Sequence, residues 1–161
     1  RHNPTSARIT GSSVVEDLMI HDLDILLNVF FPDPCNIQSV GNADVMSVLM
    51  NCDGIPVSLS ASRKASKKIR QFYVEDEEFT IEGNFMTQEV TIHRKPGQYQ
   101  IEAQRYVQEN IIEKVMVGKV EPLKRELETF IDCVKNQRPF PITPEQAIRN
   151  LEFCEKVRAA H

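Results

Sequence analysis

The first strongly patterned stretch lies near the start of the chain. Apolar residues occupy most positions between Val14 and Phe30, so little of a helix formed there would be polar. Ser13 and Glu16 have the spacing of a capping box, and Pro32 marks a helix end. The pattern predicts a helix from about Val14 to Phe30 that is covered on most sides and lies centrally in the fold.

Between Cys35 and about Arg94 the hydrophobic period changes to two, which is typical of strands. Turn signals such as Asp53-Gly54 and Gly83-Asn84 divide this stretch into short segments. Short connections favour an antiparallel meander, with one face against helices and the other semi-polar. The predicted strands are Val45–Asn51, Ile55–Arg63, Ile69–Val74, Phe79–Glu82 and Glu89–Arg94.

Two predicted helices close the chain, after a stretch from Tyr99 to Gly118 that is interpreted as strand or loop. Pro122 suits the first position of one helix, and Thr143 with Gln146 forms a capping box for the other. Each helix carries an apolar stripe, and the sheet is the available surface for both to pack on. The order helix, strands, helices predicts an α+β fold. The two stripes are Leu123, Leu127, Phe130, Ile131 and Val134, and Ala147, Ile148, Leu151, Cys154 and Val157.

Length and composition predict one globular domain over residues 1–161, with 41% apolar and 26% charged residues. The net charge of -4 leaves no basic excess for a phosphate backbone, so nucleic acid is not an expected partner. Polar residues interrupt every apolar run well before the roughly 20 residues that a bilayer requires, so no membrane contact is expected. The chain opens Arg-His-Asn-Pro without a leader, which favours a fragment or a processed chain.

Cysteine spacing gives a further indication. No C-x-x-C pair that could begin a zinc site or a redox motif occurs among the four cysteines, Cys35, Cys52, Cys133 and Cys154. Cys133 and Cys154 fall on the apolar faces of predicted helices, where a free thiol behaves as a small hydrophobic group. A reducing, cytoplasmic location is predicted.

Candidate chemistry is concentrated on the first helix. Asp17, His21 and Asp24 are spaced i, i+4 and i+7 and so share one helix face. A carboxylate one turn from an imidazole can hold its tautomer and raise its basicity, as a general base near neutral pH requires. Two alternatives stay open: Asp17 only complements the helix dipole while His21 is a core histidine, or the three side chains bind a metal.

A basic segment from Arg63 to Arg70 joins two predicted strands. It is either a solvated connection that discourages edge-to-edge strand pairing or a contact for an anionic substrate or a cofactor phosphate. In the second case Arg63 and Lys68 are the candidate substrate-binding residues.

Three sequence features together resemble one known family. They are the D-x-x-x-H-x-x-D pattern of Asp17, His21 and Asp24 on a helix entered through small residues, the Arg-x-Asn-Pro opening, and the Pro-Leu-x-x-Glu-Leu-x-x-Phe helix from Pro122. The chain is similar over its whole length to the C-terminal domain of the Gfo/Idh/MocA family of NAD(P)-dependent oxidoreductases. That resemblance implies an open, mostly antiparallel sheet with helices on one face, preceded by a dinucleotide-binding Rossmann domain.

The Rossmann half is missing from this sequence. No G-x-G-x-x-G occurs among the six glycines, and no Glu-Lys-Pro occurs, the family motif whose lysine helps to polarise the reacting hydroxyl. The resemblance therefore implies a substrate-binding and oligomerisation domain separated from its parent. NAD or NADP is expected in the parent, bound mainly by the absent domain, and no cofactor is expected on this chain alone.

The resemblance also assigns roles to individual residues. His21 matches the general base that takes the substrate hydroxyl proton, and Asp17 matches the acidic residue that orients His21 or contacts the missing lysine. Asp24 matches a third acidic position, with a substrate-binding or structural role. His2 stands where an aromatic residue is usual, so the opening segment is given a connecting role.

The leading hypothesis is therefore a dehydrogenase domain that acts on a hydroxyl of a sugar, polyol or sugar derivative and is incomplete without its Rossmann domain. The expected partners are this small-molecule substrate and further copies of the chain, bound through the open sheet face. One alternative is a non-catalytic assembly module with a vestigial Asp17–His21 pair. Another is a small metal-dependent hydrolase.

Overall fold

Helices and antiparallel strands occupy separate parts of the chain, which confirms the predicted α+β class. The computed structural model describes residues 1–5, 11–31, 36–95, 100–102, 105–107 and 110–160. They fall into two compact units, one of Arg1–Ile69 with Leu127–His161 and one of Arg70–Glu126. The assignment of the whole chain to one domain stays a prediction, and each unit is described by itself.

The predicted first helix is present and has an unusual internal geometry. Its centre, α1 (Ile20–Ile25), is α-helical, while the turns on either side, Val15–Met19 and Leu26–Phe30, are π-helical. In these wider turns the N–H of Ile20 donates to the carbonyl oxygen of Val15, and that of Phe31 donates to Leu26. These three segments are called the first helix below. The predicted stop at Pro32 lies outside the described residues.

The predicted pairing of Ser13 and Glu16 is also present. The Ser13 N–H donates to Glu16 Oε2 at 2.9 Å, and the Ser13 hydroxyl donates to the same oxygen. Arg158 Nη1 donates to the other carboxylate oxygen at 2.7 Å. Burial alone would raise the pKa of Glu16, but the bonds from Ser13 and Arg158 outweigh it and lower that pKa.

Three antiparallel strands in the first unit form a sheet in the order β1 (Asn36–Gly41), β2 (Val45–Cys52) and β3 (Ile55–Ser62). The register places Val48 opposite Ser39 on β1 and Leu59 on β3. Burial along β2 alternates strictly, as the period-two pattern predicts. Strand β1 is an addition to the predicted set.

The core of the first unit lies between this sheet and the helices. The first helix and α3 (Pro144–Ala159) cover the inner sheet face, and the predicted Thr143–Gln146 capping box begins α3. Ser39 Oγ donates to the Val157 carbonyl oxygen at 2.7 Å, which joins β1 to α3. The main core side chains are Val14, Val15, Leu18, Met19, Leu23, Leu26, Leu27, Met46, Val48, Met50, Cys52, Ala61, Phe153, Cys154 and Val157.

Cys154 lies fully inside this core, with 1% of its surface exposed. Burial raises the pKa of its thiol to about 11, since the thiolate would lose its hydration. The predicted role of Cys154 as a small hydrophobic group is confirmed.

The second unit contains an antiparallel sheet in the order β4 (Gln71–Glu75), β5 (Phe79–Asn84), β6 (Glu89–Arg94) and β9 (Ile111–Val115). Two further strands, β7 (Gln100–Glu102) and β8 (Arg105–Val107), pair with each other. The described part of the stretch from Tyr99 to Gly118 is therefore mostly strand. Arg94 and Glu113 form an ion pair across β6 and β9, with 2.7 Å between Nε and Oε1.

The predicted helix at Pro122 is present as α2 (Pro122–Lys135), but its surroundings differ from the prediction. Four of its apolar side chains in the first unit are exposed by 50–62%, and only Cys133 is buried. The prediction that both closing helices pack on the sheet holds for α3 and is wrong for α2. None of the helices in the described part of the chain combines the length and hydropathy of a membrane span. The four exposed side chains are Leu127, Phe130, Ile131 and Val134.

Candidate active site

The first residues of the chain fasten the first helix to the sheet. Arg1 Nε donates to Asp22 Oδ1 at 2.7 Å, and the two side chains are only 13% and 16% exposed. His2 exchanges backbone hydrogen bonds with Ile69, both at 2.8 Å, and its Nε2 lies 3.0 Å from Ser60 Oγ. The opening segment therefore connects the helix residue next to His21 with the end of β3.

His21 lies on α1 with its side chain exposed, which excludes the interpretation of His21 as a core histidine. Asp17 lies in the preceding π-helical turn, four residues earlier, and is partly buried. Its Oδ2 is shielded from solvent and has no hydrogen-bond donor among the described residues. A shielded carboxylate oxygen without a donor is unfavourable, so this position is suited to a cation or donor from outside the described chain.

Asp24 takes part in a polar cluster between two helices. Its Oδ1 accepts hydrogen bonds from Asn28 Nδ2 at 2.8 Å and from Asn150 Nδ2 at 2.6 Å. Asn150 is 6% exposed and belongs to α3. These contacts give Asp24 a structural function between the first helix and α3, and its predicted contact with substrate stays a prediction.

Arg63 and Lys68, the two candidate residues of the basic segment, differ in burial and in contacts. Arg63 is 11% exposed, and its Nη2 donates to the carbonyl oxygens of Ser12 and Ala43, both at 2.8 Å. These bonds hold the residues that lead into the first helix. Arg63 Nε and Nη1 are shielded without an acceptor among the described residues, whereas Lys68 is exposed.

The structure thus places Asp17, His21 and Asp22 on the first helix, joins Asp22 to Arg1, and holds the residues before the helix with Arg63. Sequence reasoning missed Asp22 and Asn150. The signal for Asn150 was available, since it is an amide between apolar positions of the α3 stripe. The partner of Asp22 is far away in sequence, so no local pattern indicates it.

The hollows on the described sheets include one on each of the two larger sheets, and neither of these is lined by Asp17 or His21. One is a groove of about 550 Å³ on the outer face of the β1–β2–β3 sheet, where Gln38, Ser47 and Leu49 are among the lining residues. Over the described ranges, no group of three or more His, Cys, Asp or Glu side chains could hold a metal ion. The metal-dependent hydrolase hypothesis therefore has no ligand cluster to support it in that part of the chain.

Comparison with known proteins gives matches among solved structures alone. No protein-family model matches the chain, and no curated protein does so significantly. UDP-N-acetylglucosamine 3-dehydrogenase GnnA from Acidithiobacillus ferrooxidans is similar with a TM-score of 0.81 and 25% identity, over 99% of this chain and 50% of the other.

Two more distant structures share the fold. An NAD-binding protein from Listeria innocua has a TM-score of 0.67 at 15% identity, over 99% of this chain and 55% of the other. The dehydrogenase MviM from Clostridium difficile has a TM-score of 0.63 at 14% identity, over 99% and 51%. The chain therefore spans about half the length of these structures, and proteins named as dehydrogenases are among its structural neighbours.

Proposed function

We propose that this chain is the C-terminal, substrate-binding domain of a Gfo/Idh/MocA-type dehydrogenase that oxidises a hydroxyl of a sugar, polyol or sugar derivative. The observation that carries the proposal is the similarity to a sugar-nucleotide dehydrogenase over 99% of this chain, at 25% identity. The exposed His21 on a helix that also carries Asp17 supports it, because a proton acceptor must be open to substrate.

In this proposal His21 accepts the proton of the substrate hydroxyl. Asp17, one turn earlier, orients the imidazole or pairs with a lysine from the preceding half of the polypeptide. The nicotinamide ring of NAD or NADP supplies the hydride acceptor when it is bound. The ion pair between Arg1 and Asp22 holds the helix that presents His21.

The preceding half of the polypeptide is proposed to be a dinucleotide-binding domain. Three observations support this. The chain spans about half of the structures it resembles, the shielded Asp17 Oδ2 has no donor in the described chain, and α2 exposes an apolar face. The cofactor is expected to bind mainly to that half, so the 161-residue chain alone is expected to give no saturable heat on titration with NADH or NADPH.

Substrate charge and location are also part of the proposal. Arg63 keeps two shielded N–H groups without acceptors among the described residues, which suits an anionic group on the substrate or cofactor, with Lys68 as a second cation. We place the enzyme in the cytoplasm and expect it to be a homo-oligomer.

The test uses the intact polypeptide. His21→Ala should lower kcat by roughly 10²–10⁴, the usual contribution of a general base, while cofactor affinity stays nearly unchanged. Asp17→Asn should also lower kcat. Both variants should keep the wild-type melting temperature, because the His21 side chain is exposed and Asp17 keeps its size. Steady-state rates with a panel of sugars and polyols, together with thermal melts on the same preparations, provide the measurement.

The matched control is His93→Ala, the same substitution at a histidine of β6 that lies outside the D-x-x-x-H-x-x-D pattern. This variant should retain full activity. An unchanged rate in His21→Ala, under conditions where hydride transfer limits turnover, would remove the catalytic assignment.

A further inference from the structure

The strand β3 lies at the edge of its sheet, and its outer side is already partly occupied. Backbone groups of alternate residues on a strand point to opposite sides. The backbone groups of Ser60 and Ser62 point away from β2. There the terminal amine of Arg1 donates to the Ser60 carbonyl oxygen at 2.6 Å, and the Ser62 N–H donates to the Arg1 carbonyl oxygen at 3.0 Å. The N–H of Asn3 then donates to the Ser62 carbonyl oxygen at 2.8 Å.

These three bonds have the arrangement of a parallel strand pair, with His2 opposite Ser62. The side chains agree with this register. Arg1, opposite the buried Ala61, points to the inner face and reaches Asp22. His2 points to the outer face, where its ring meets Ser60 Oγ.

The same edge is open from Ser60 back to Pro56. Among the residues that the structure describes, the N–H groups of Ser58 and Ser60 and the carbonyl oxygens of Pro56 and Ser58 have no hydrogen-bond partner on that side. An exposed row of such groups is a template for another strand. Pro56 has no N–H to offer, so the template ends there.

Side-chain burial indicates a missing neighbour at the same place. Val57 and Leu59 pack on the core with their inward side chains, yet both are only partly buried. On β2, the inward residues opposite them, Met50 and Val48, are 4% and 1% exposed. The difference is expected of an edge strand whose apolar side chains lack a neighbour on one side.

We propose that the residues immediately before Arg1 in the intact polypeptide form a strand parallel to β3 that covers this edge from Ser60 to Pro56. The inference rests on the proposed function only in that residues precede Arg1. Arg1 and Asn3 already pair with β3, so the residues before Arg1 would continue the same strand along the open edge. A strand from a second copy would instead have to begin where the pairing of Arg1 ends, which favours the preceding residues as the occupant. A parallel pair also needs a crossover, and the first helix lies between the two strands in sequence.

The proposed register predicts which of the residues before Arg1 are apolar. The residues two and four positions before Arg1 lie opposite Leu59 and Val57, so both should be apolar and face the core. The residues one and three positions before Arg1 face outwards with His2. The strand would lead the polypeptide directly to Arg1, whose partner Asp22 is next to His21 in the sequence. It would so hold the proposed dinucleotide-binding domain close to the proposed general base.

Amide hydrogen exchange of the intact polypeptide, resolved by NMR, tests the proposal. The amides of Val57 and Leu59 face β2 and serve as internal references for a paired strand. Ser58 and Ser60 should be protected to within about tenfold of these references, since paired strand amides open in the same cooperative unit. Exchange of Ser58 and Ser60 more than about 100-fold faster than the references would overturn the proposal. Protection of these two amides in a chain that begins at Arg1, rising with protein concentration, would assign the edge to a second copy and overturn it as well.

A pair of variants gives an independent readout. Ser58→Pro removes an outward N–H, whereas Ser58→Ala removes the same hydroxyl and keeps the amide. In the intact polypeptide, Ser58→Pro should lower the melting temperature by about 5 °C more than Ser58→Ala. Equal melting temperatures would contradict a paired strand.

The dehydrogenase rate of the same preparations separates this proposal from the proposed function. An active enzyme with an unprotected edge contradicts the strand alone. A protected edge in an inactive enzyme contradicts the function alone.

Discussion

Asp24 joins the first helix to α3 by accepting hydrogen bonds from the amides of Asn28 and Asn150. Asp24→Ala removes this acceptor. The partly buried Asn150 amide then loses its hydrogen bond, and Asn28 Nδ2 keeps only its longer bond to Asn150 Oδ1, at 3.4 Å. The expected loss is about 1–3 kcal/mol in the free energy of unfolding, the usual cost of unsatisfied buried donors. Urea denaturation measures it.

The control for this prediction is Glu155→Ala, an exposed position on α3 that should stay within about 0.5 kcal/mol of the wild type. Kinetics of the intact polypeptide distinguish the two functions of Asp24. A raised KM at unchanged stability would favour the predicted substrate contact over the structural role.

Glu16 should make the free energy of unfolding depend on pH in the acidic range. Its pKa in the folded protein is lowered from the ordinary value of 4.5 by hydrogen bonds from Ser13 and Arg158, which outweigh the effect of burial. The ionised carboxylate therefore stabilises the fold above about pH 4.5, and this contribution is lost as the pH falls through the lowered value.

The measurement compares the free energies of unfolding of the wild type and Glu16→Gln across pH. The difference should be constant near neutral pH and shrink below about pH 4.5. Glu152→Gln, at an exposed position on α3, is the control. A difference between wild type and Glu16→Gln that does not change with pH would contradict the prediction.

At the scale of elements, the β4–β5 pair depends on one glycine. Gly83 lies opposite Phe72, and a Cβ atom added at Gly83 would lie 1.8 Å from Cε1 of the Phe72 ring. That ring also packs on Phe85, with 5.5 Å between centroids. Gly83→Ala should therefore displace Phe72 and cost about 1–3 kcal/mol in stability, as overpacking usually does.

Gly118→Ala is the matched substitution, because no atom lies within 4 Å of the corresponding Cβ position. It should leave the melting temperature of the protein nearly unchanged. Similar melting temperatures for the two variants would show that the ring moves aside without loss.

The elements that sequence predicts well are those with strong local signals. The capping residues Ser13 and Thr143 and the alternation along β2 are local, and the structure has each of them. Strand β1 was missed because its outward residues are mostly polar and its pattern contains few apolar side chains. The stripe of α2 shows that periodicity predicts an apolar face without showing what covers it.

In the candidate site, too, local patterns can be predicted from the sequence and long-range contacts cannot. The spacing of Asp17 and His21 is a local pattern, so sequence identifies both residues. The partners Arg1 for Asp22 and Asn150 for Asp24 are 21 and 126 positions away, so only the folded chain brings them together. Sequence therefore predicts the chemical groups, whereas long-range contacts determine which of them are held rigidly.

At the scale of the whole molecule, we expect self-association through the outer face of the β1–β2–β3 sheet. Val40 and Leu49 are 71% and 60% exposed there, among small polar side chains such as Ser47. Closed two-fold dimers are the commonest assembly, and an antiparallel sheet with one uncovered face can supply the interface. Sedimentation velocity of the intact polypeptide at micromolar concentration should show a dimer or larger species.

Leu49→Lys should shift that equilibrium towards monomer, because it places a charge in the middle of the face. Ile131→Lys, on the exposed stripe of α2, is the control and should leave the dimer intact. A monomer in the wild type, or an equal effect of both variants, would contradict the assignment of this face.

The two π-helical turns of the first helix determine where the chain can lose a residue. Each wider turn accommodates one residue more than an α-helical turn of the same height. Deleting one residue from Val15–Met19 would therefore leave an α-helical turn and keep Leu23 facing the core. A deletion within α1, which is already regular, would instead rotate every later residue by about 100° and take the apolar side chains of Leu26–Phe30 off the core. Related sequences with the same function should therefore place any one-residue gap of this helix in Val15–Met19 or Leu26–Phe30 and not in Ile20–Ile25.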